Sequence, residues 1–405
     1  MAAAPPSAPG GARGLELAAL SSGLVLAVFL WRSAAHLSTA SPEDFIYYYA
    51  GTGLYWEGRS PYDYAAYQGR LETILGRPNP FPSKTSAFLY PPLMAWAFAP
   101  FAALPYPTAF MAWTLTLAAS AGAVFWMLSS GLDFRARVLL AAVFLACPAA
   151  ENALYTHRVL WLTLAACLAG WRLLKRGLDI PAGLAFGLMG LQPQWLLPLA
   201  VCLVLGGRWK TLAAALALQA LPLLAHGAGL QPWSLWSGYF ETVRGVQRGW
   251  VFSGNLSLAV GLMRLLDPAG HPTGVLFWKA TPALQALSAV TAALFAAAAA
   301  WAWSGGAPWE GKTRFTLAAA LWVQPYSHGS ELLWAFPWIA EGLMRRFPGS
   351  RALAWGLAGA VGATLALRWA LDSPAGRGHI ASAYLLTASA AFLTGRRPAR
   401  EALVG

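Results

Sequence analysis

Apolar runs, each close to the length of a membrane-crossing helix, follow one another along almost the whole chain and leave little room for another architecture. They cover about 15–36, 88–105, 107–130, 137–150, 158–173, 180–206, 211–229, 281–303, 314–325, 332–344, 350–371 and 379–394. Only 11% of the residues are charged, against roughly 25% in a soluble globular protein. The pattern predicts an all-α polytopic membrane protein with one domain over 1–405. The first run, from Leu15, is too long for a signal-peptide core and is expected to be a retained helix. The run 180–206 is interrupted at Gln192-Pro193, which predicts a kink or two shorter pieces.

The net charge of +12 is not a nucleic-acid signature, because the cations come as short clusters between the apolar runs. These are Arg172/Lys175/Arg176, Arg208/Lys210, Lys312/Arg314, Arg345/Arg346/Arg351 and Arg396/Arg397/Arg400. Such clusters mark cytoplasmic loops and predict both termini inside. Anionic lipid headgroups would add to their hold. Cys147, Cys167 and Cys202 lie inside apolar runs, without disulfide or metal spacing. No carboxylate cluster demands a metal, and no cofactor is predicted.

Two long stretches, 37–87 and 230–280, fall outside the membrane on this reading. The first holds Glu43-Asp44-Phe45 and a run of aromatics, Tyr47, Tyr48, Tyr49, Tyr55 and Trp56. Ser41-Pro42 predicts a helix start there, with the helix lying along the membrane surface. An acid beside a membrane helix is well placed to meet a substrate arriving from the lipid, or it merely complements a helix N-terminus. Tyr90-Pro91-Pro92-Leu93 opens the next apolar run, and prolines there are structurally ordinary. His328 and Glu331, at membrane depth, are costly and read as functional or as a structural hydrogen-bonded pair. Asn255 reads as a cap for a short helix after it or as a polar contact for a substrate.

Taken in order, Asp44-Phe45 with Tyr48, Gly58-Arg59-Ser60-Pro61-Tyr62-Asp63 and Tyr90-Pro91-Pro92-Leu93 resemble glycosyltransferase family 87. Looser similarity continues through Gln192-Pro193, Asn255-Leu256-Ser257-Leu258 and Pro325-Tyr326-Ser327-His328. The resemblance implies a GT-C-like bundle of about 11–13 transmembrane helices, with juxtamembrane helices in the first external loop. It implies a polyprenyl-phosphate-linked sugar as donor, a glycolipid or glycan as acceptor, and transfer of a hexose, mannose first, with inversion. Work at the outer face of a bacterial plasma membrane goes with it. Asp44 would be the general base. His328, Arg158, Arg59 and Tyr90, in that order, are candidates for the departing phosphate, and Tyr48, Asn255, Gln192 and Glu331 are further substrate contacts. The family often carries Gly-Gln-x-Asn where this chain reads Tyr155-Thr156-His157-Arg158, and Lys-Pro where it reads Gln192-Pro193. With that Lys absent, Arg158, His157 or His328 would take over its cation role. A transporter, flippase or polymerase of lipid-linked sugars is the competing reading.

Overall fold

The computed structural model describes residues 44–79, 87–130, 132, 137, 140–141, 153, 156–224, 232–252, 258–266, 277–279, 281–306, 308–323 and 334. Helices dominate: α1 (Asp44–Trp56), α2 (Tyr64–Leu75), α3 (Pro92–Ala97), α4 (Ala99–Ala102), α5 (Tyr106–Ser129), α6 (Leu160–Lys175) and α7 (Asp179–Gly187). A 3-10 turn (Leu188–Leu191) leads to α8 (Pro193–Leu205), α9 (Trp209–Leu224), α10 (Pro232–Gly249), α11 (Leu258–Leu266), α12 (Pro282–Ser304) and α13 (Trp309–Val323). Among the described residues there is one short antiparallel strand pair, β1 (Trp250–Phe252) with β2 (Phe277–Lys279). The expected short helix after Asn255 is α11. The runs 15–36, 350–371 and 379–394 lie outside the described residues, as does most of 137–150 and of 332–344.

Helices α5 and α12 are long and apolar enough to cross a bilayer. Each carries large apolar side chains on an exposed face, such as Leu115 and Trp126 on α5 and Val290, Leu294 and Trp301 on α12. In water those faces would be unfavourable, and in lipid they are not.

Two expected spans take another form. The run 88–105 holds only α3 and α4, of six and four residues, because Pro91, Pro92, Pro100 and Pro105 punctuate it. The run 180–206 does not merely kink at Gln192-Pro193; it turns back. Asp179 at the start of α7 accepts from the Thr211 hydroxyl (3.2 Å) and lies 3.9 Å from Arg208, just past the end of α8. At the other end, Gln192 meets Thr163 in the first turn of α6. The arms α7 plus its 3-10 turn, and α8, are thus antiparallel and span 13 residues each. That is about 20 Å at 1.5 Å per residue, short of a bilayer core. The first arm fits closely against α9. A Cβ on Gly183 would lie 2.3 Å from the Thr211 carbonyl, and one on Gly187 would meet Leu218, so small residues let these two backbones approach.

The basic clusters of 172–176, 208–210 and 312–314 gather at one end of this bundle. Lys175 reaches Glu310 (3.4 Å), Trp171 stacks on Trp309 (5.1 Å between centroids), and Lys312 donates to the Trp303 carbonyl. Arg172 bonds the Met127 carbonyl and the Ser130 hydroxyl, which brings in the C-terminal end of α5. The opposite end belongs to α1. Rather than lying on a surface, α1 is the centre of the core. Phe45, Tyr48, Ala50, Leu54 and Tyr55 are all buried, and Phe45 and Tyr48 contact rings of α5 and of the segment 90–98.

Candidate functional site

Helix α1 starts against the loop that precedes α6. The Asp44 N–H, one of the orphan donors of a helix start, donates to the Thr156 carbonyl (3.2 Å). The next residue, His157, has φ +52, a left-handed conformation uncommon outside glycine and of a kind that concentrates at functional sites. Its carbonyl accepts from Trp113 Nε1 (2.9 Å), and its ring lies against Phe110 (4.4 Å). This turn sends Arg158 toward α1, where its Nε lies 2.7 Å from Asp44 Oδ2, with the two side chains 15% and 21% exposed. His157 itself is wholly buried, so it positions its neighbours and is not presented as a cation for a ligand.

Two tyrosines close the site. Tyr48, one turn along α1 from Asp44, is buried, and its hydroxyl accepts the Val159 N–H (3.4 Å). Its ring meets Tyr90 edge to face at 4.6 Å, and the two hydroxyls are hydrogen-bonded to each other. Burial, and then the nearby Asp44 carboxylate, push both phenols well above the ordinary tyrosine value. Both are therefore neutral hydrogen-bonding groups at any physiological pH. Tyr90 is fixed from below: its carbonyl accepts from the Tyr62 hydroxyl (2.7 Å). Asp63 of the same motif caps α2 through the Ala65 and Ala66 N–H groups. The Pro61-Tyr62-Asp63 stretch thus supports Tyr90 and starts α2.

Gln192 stands at the tip of the hairpin, buried, with its Oε1 accepting the Thr163 hydroxyl (2.9 Å). Thr163 lies little more than one turn along α6 from Arg158, so the tip reaches the same end of the bundle. With the amide oxygen satisfied, the NH₂ group is the side that offers donors. Trp113, on the third turn of α5, ties the His157 turn to that helix through its indole N–H.

The structure therefore brings together Asp44, Arg158, Tyr48 and Tyr90, with Gln192 close by. It does not bring Arg59 to them. Arg59 is exposed beyond the far end of α1, about 20 Å along the helix from Asp44. Asn255, His328 and Glu331 lie outside the described residues. Sequence reasoning missed Thr163, Trp113 and the Thr156 carbonyl. A hydroxyl inside the apolar run 158–173 was a usable signal for Thr163. The other two had none, since one is an aromatic among many and the other is backbone.

An acid, a cation and hydrogen-bonding phenols thus meet at one end of an apolar helical bundle, two of whose helices are long and apolar enough to cross a membrane. The model of one protein family, Glycosyltransferase family 87, matches residues 88–325, well over half of the chain. This chain belongs to that family: it is a glycosyltransferase, acting on a sugar donor and an acceptor, in a family of membrane proteins. Tyr90, Arg158, Gln192 and Asn255 fall inside the matched residues; Asp44 and Arg59 precede them, and His328 and Glu331 follow. Neither the curated proteins nor the solved structures contain a match.

Proposed function

We propose that the chain is an inverting transferase that moves a hexose, mannose in the first instance, from a polyprenyl-phosphate carrier to a hydroxyl of a glycolipid or glycan. The observation that carries this reading is the close Asp44–Arg158 pair at the end of the bundle remote from the basic clusters. Asp44 takes the proton of the acceptor hydroxyl as that oxygen forms its bond to the anomeric carbon. The bond from that carbon to the phosphate oxygen breaks, and its electron pair leaves on polyprenyl phosphate. The departing group is a phosphate monoester and needs positive charge and donors, not an acid. Arg158 supplies the charge, and Gln192, Tyr48 and Tyr90 supply hydrogen bonds to the sugar or the phosphate. His328, Asn255 and Glu331 remain candidates for the same chamber.

Work at the outer face is supported by charge and by parity. The basic end is cytoplasmic under the positive-inside rule, which places Asp44 outside. Both termini inside require an even number of crossings, and with 88–105 and 180–206 not crossing, the alternation of the other runs puts 172–176, 208–210, 312–314, 345–351 and 396–400 all on the inner side and Asp44 on the outer.

The test is transfer from synthetic polyprenyl-phosphate-mannose by purified wild type and Asp44→Asn, with matched folding controls. Transfer that collapses in the variant supports the class and the base. Transfer that survives removes Asp44 from the chemistry, and an absence of transfer across several lipid-linked sugars removes the proposed donor.

A further inference from the structure

Helix α10 has three faces of different chemistry. Leu235 and Tyr239 are buried. Leu235 packs with Tyr55 and Ala95, the Tyr239 ring lies 6.0 Å from that of Tyr62, and a Cβ on Gly238 would touch the Tyr62 side chain, 3.1 Å from its Cβ. Burial pushes the Tyr239 phenol up to about 12, in keeping with a docked face. On another side, Trp233 and Phe240 are 81% and 60% exposed. At a spacing of i, i+7 they share one stripe, with Trp236 beside them at 5.8 Å from Phe240. Ser234, Ser237 and Glu241 form the third, polar side, and exposed Arg244 follows the aromatic stripe one turn on. A helix docked only on protein would have no use for a second apolar face, and one in free water would expose that face unfavourably.

We infer that α10 is an interfacial helix. Its aromatic stripe lies in the headgroup–acyl boundary of the leaflet at the Asp44 end, and it forms the lipid-facing wall of the site. The occupant of the stripe is phospholipid. The combination of Trp and Phe toward the lipid, an Arg able to extend its head to the phosphates, and Ser and Glu toward water is what such a helix requires. Placement agrees, since α10 begins shortly after α9 ends at the side away from the basic clusters. The helix also connects to the chemistry. Tyr239 contacts Tyr62, the Tyr62 hydroxyl holds the Tyr90 carbonyl, and Tyr90 meets Tyr48 one turn from Asp44. On the proposed function, this is the side from which a lipid-linked substrate slides to Asp44.

The experiment uses full-length protein, with Cys147, Cys167 and Cys202 replaced by alanine and monodispersity confirmed, in vesicles of phosphatidylcholine and phosphatidylglycerol. Nitroxide labels are placed singly at Trp233, Phe240, Ser237 and Glu241. Labels at 233 and 240 are expected to collide with oxygen and be shielded from a water-soluble nickel chelate, and labels at 237 and 241 to show the reverse. Nickel access at all four sites overturns the inference, because the helix then stands in water. Exclusion of both quenchers at 233 and 240 overturns it too, because protein, for instance a second copy, then covers the stripe. Neither readout needs catalysis, so failure of the proposed reaction is separable. The double change Trp233→Ser/Phe240→Ser in the native background is a second arm. It should raise the KM for a long-chain polyprenyl donor about tenfold, with kcat and the KM for a short-chain, water-dispersed donor unchanged; equal effects on both donors would overturn the role in lipid access.

Discussion

Each end of the bundle pairs an arginine with an aspartate beside aromatic rings, yet the two ends are built differently. At one end Arg208 is 3.9 Å from Asp179, with side chains 45% and 31% exposed, and Lys175 is 3.4 Å from Glu310, at 48% and 38%. Cations outnumber acids there, and they rest on rings as readily as on carboxylates, with Arg172 over Trp126, Arg208 over Trp309 and Lys312 over Trp303. At the other end Arg158 faces Asp44 at 2.7 Å with most of both side chains covered, inside a ring of tyrosines and behind a left-handed residue. Residue types are the same, but solvent and redundancy differ. Water screens the exposed pairs and neighbours can replace either partner, so no single contact matters. In the covered pair little water screens the charges, so removing either partner costs more.

The sharpest test of that contrast is at Asp44. On the proposed mechanism, Asp44→Asn keeps the size of the side chain and removes the base, so transfer should fall ~10²–10⁴-fold, as measured on protein of unchanged monodispersity. Arg158→Gln comes next. It leaves Asp44 without its charge partner and should lower the thermal stability in detergent by about 1–3 kcal/mol, below the figure for a fully buried pair because some solvent reaches both groups. If Arg158→Gln costs nothing while Asp179→Asn costs about 1–3 kcal/mol, the contrast between the ends is broken.

What could be read from sequence divides along similar lines. Helical character, the long crossing runs and the basic clusters follow from one-dimensional patterns, and α5, α12 and the gathering of cations at one end agree with them. The hairpin at Gln192-Pro193 was legible only as an interruption. A proline removes a donor whether the chain bends or reverses, and the reversal shows only in three dimensions, where Asp179 lies beside Arg208 and Thr211. The burial of α1 was hidden for a related reason. Aromatics such as Tyr47 and Tyr48 in an external loop suit a helix lying along the membrane surface, until α3, α4 and α5 are seen to pack against α1. At the site, Asp44 stood out because an acid beside membrane helices is expensive, whereas its partner Arg158 had to be chosen among several cations by resemblance. Their meeting depends on the backbone turn at His157, which no side-chain pattern announces.

A smaller effect separates the tyrosines from the ion pair. Tyr48→Phe removes the hydroxyl that accepts the Val159 N–H and bonds Tyr90, and should cost about 1–2 kcal/mol. The same phenols give a pH signature. Their folded values are raised above the ordinary value near 10, so the stability they contribute is whole below about pH 10. It is lost as pH rises further, because the unfolded chain gives up those protons first. Thermal unfolding followed from pH 8 to 11 should show the loss in wild type and a shallower one in Tyr48→Phe. A loss beginning near neutrality would point to other groups.

The least effect is expected where the distances look most like ordinary salt bridges. Asp179→Asn abolishes the charge opposite Arg208 but keeps an amide oxygen for the Thr211 hydroxyl, whose bond to Asp179 Oδ1 is 3.2 Å. Arg208 retains the Trp309 ring at 5.9 Å and the surrounding water. The stability change should stay within ~0.5 kcal/mol, and raising the salt concentration should shrink it further. Gly183→Leu, a few residues along the same helix, makes the contrast within one element. Its side chain would strike the Thr211 carbonyl, already too close to a bare Cβ, and should separate α7 from α9 at a cost of about 3 kcal/mol, the upper end of the usual scale of overpacking. If the aspartate and not the glycine proves sensitive, charge holds the hairpin to α9; the opposite order means that close backbone packing does, with the ion pair as an exposed accompaniment.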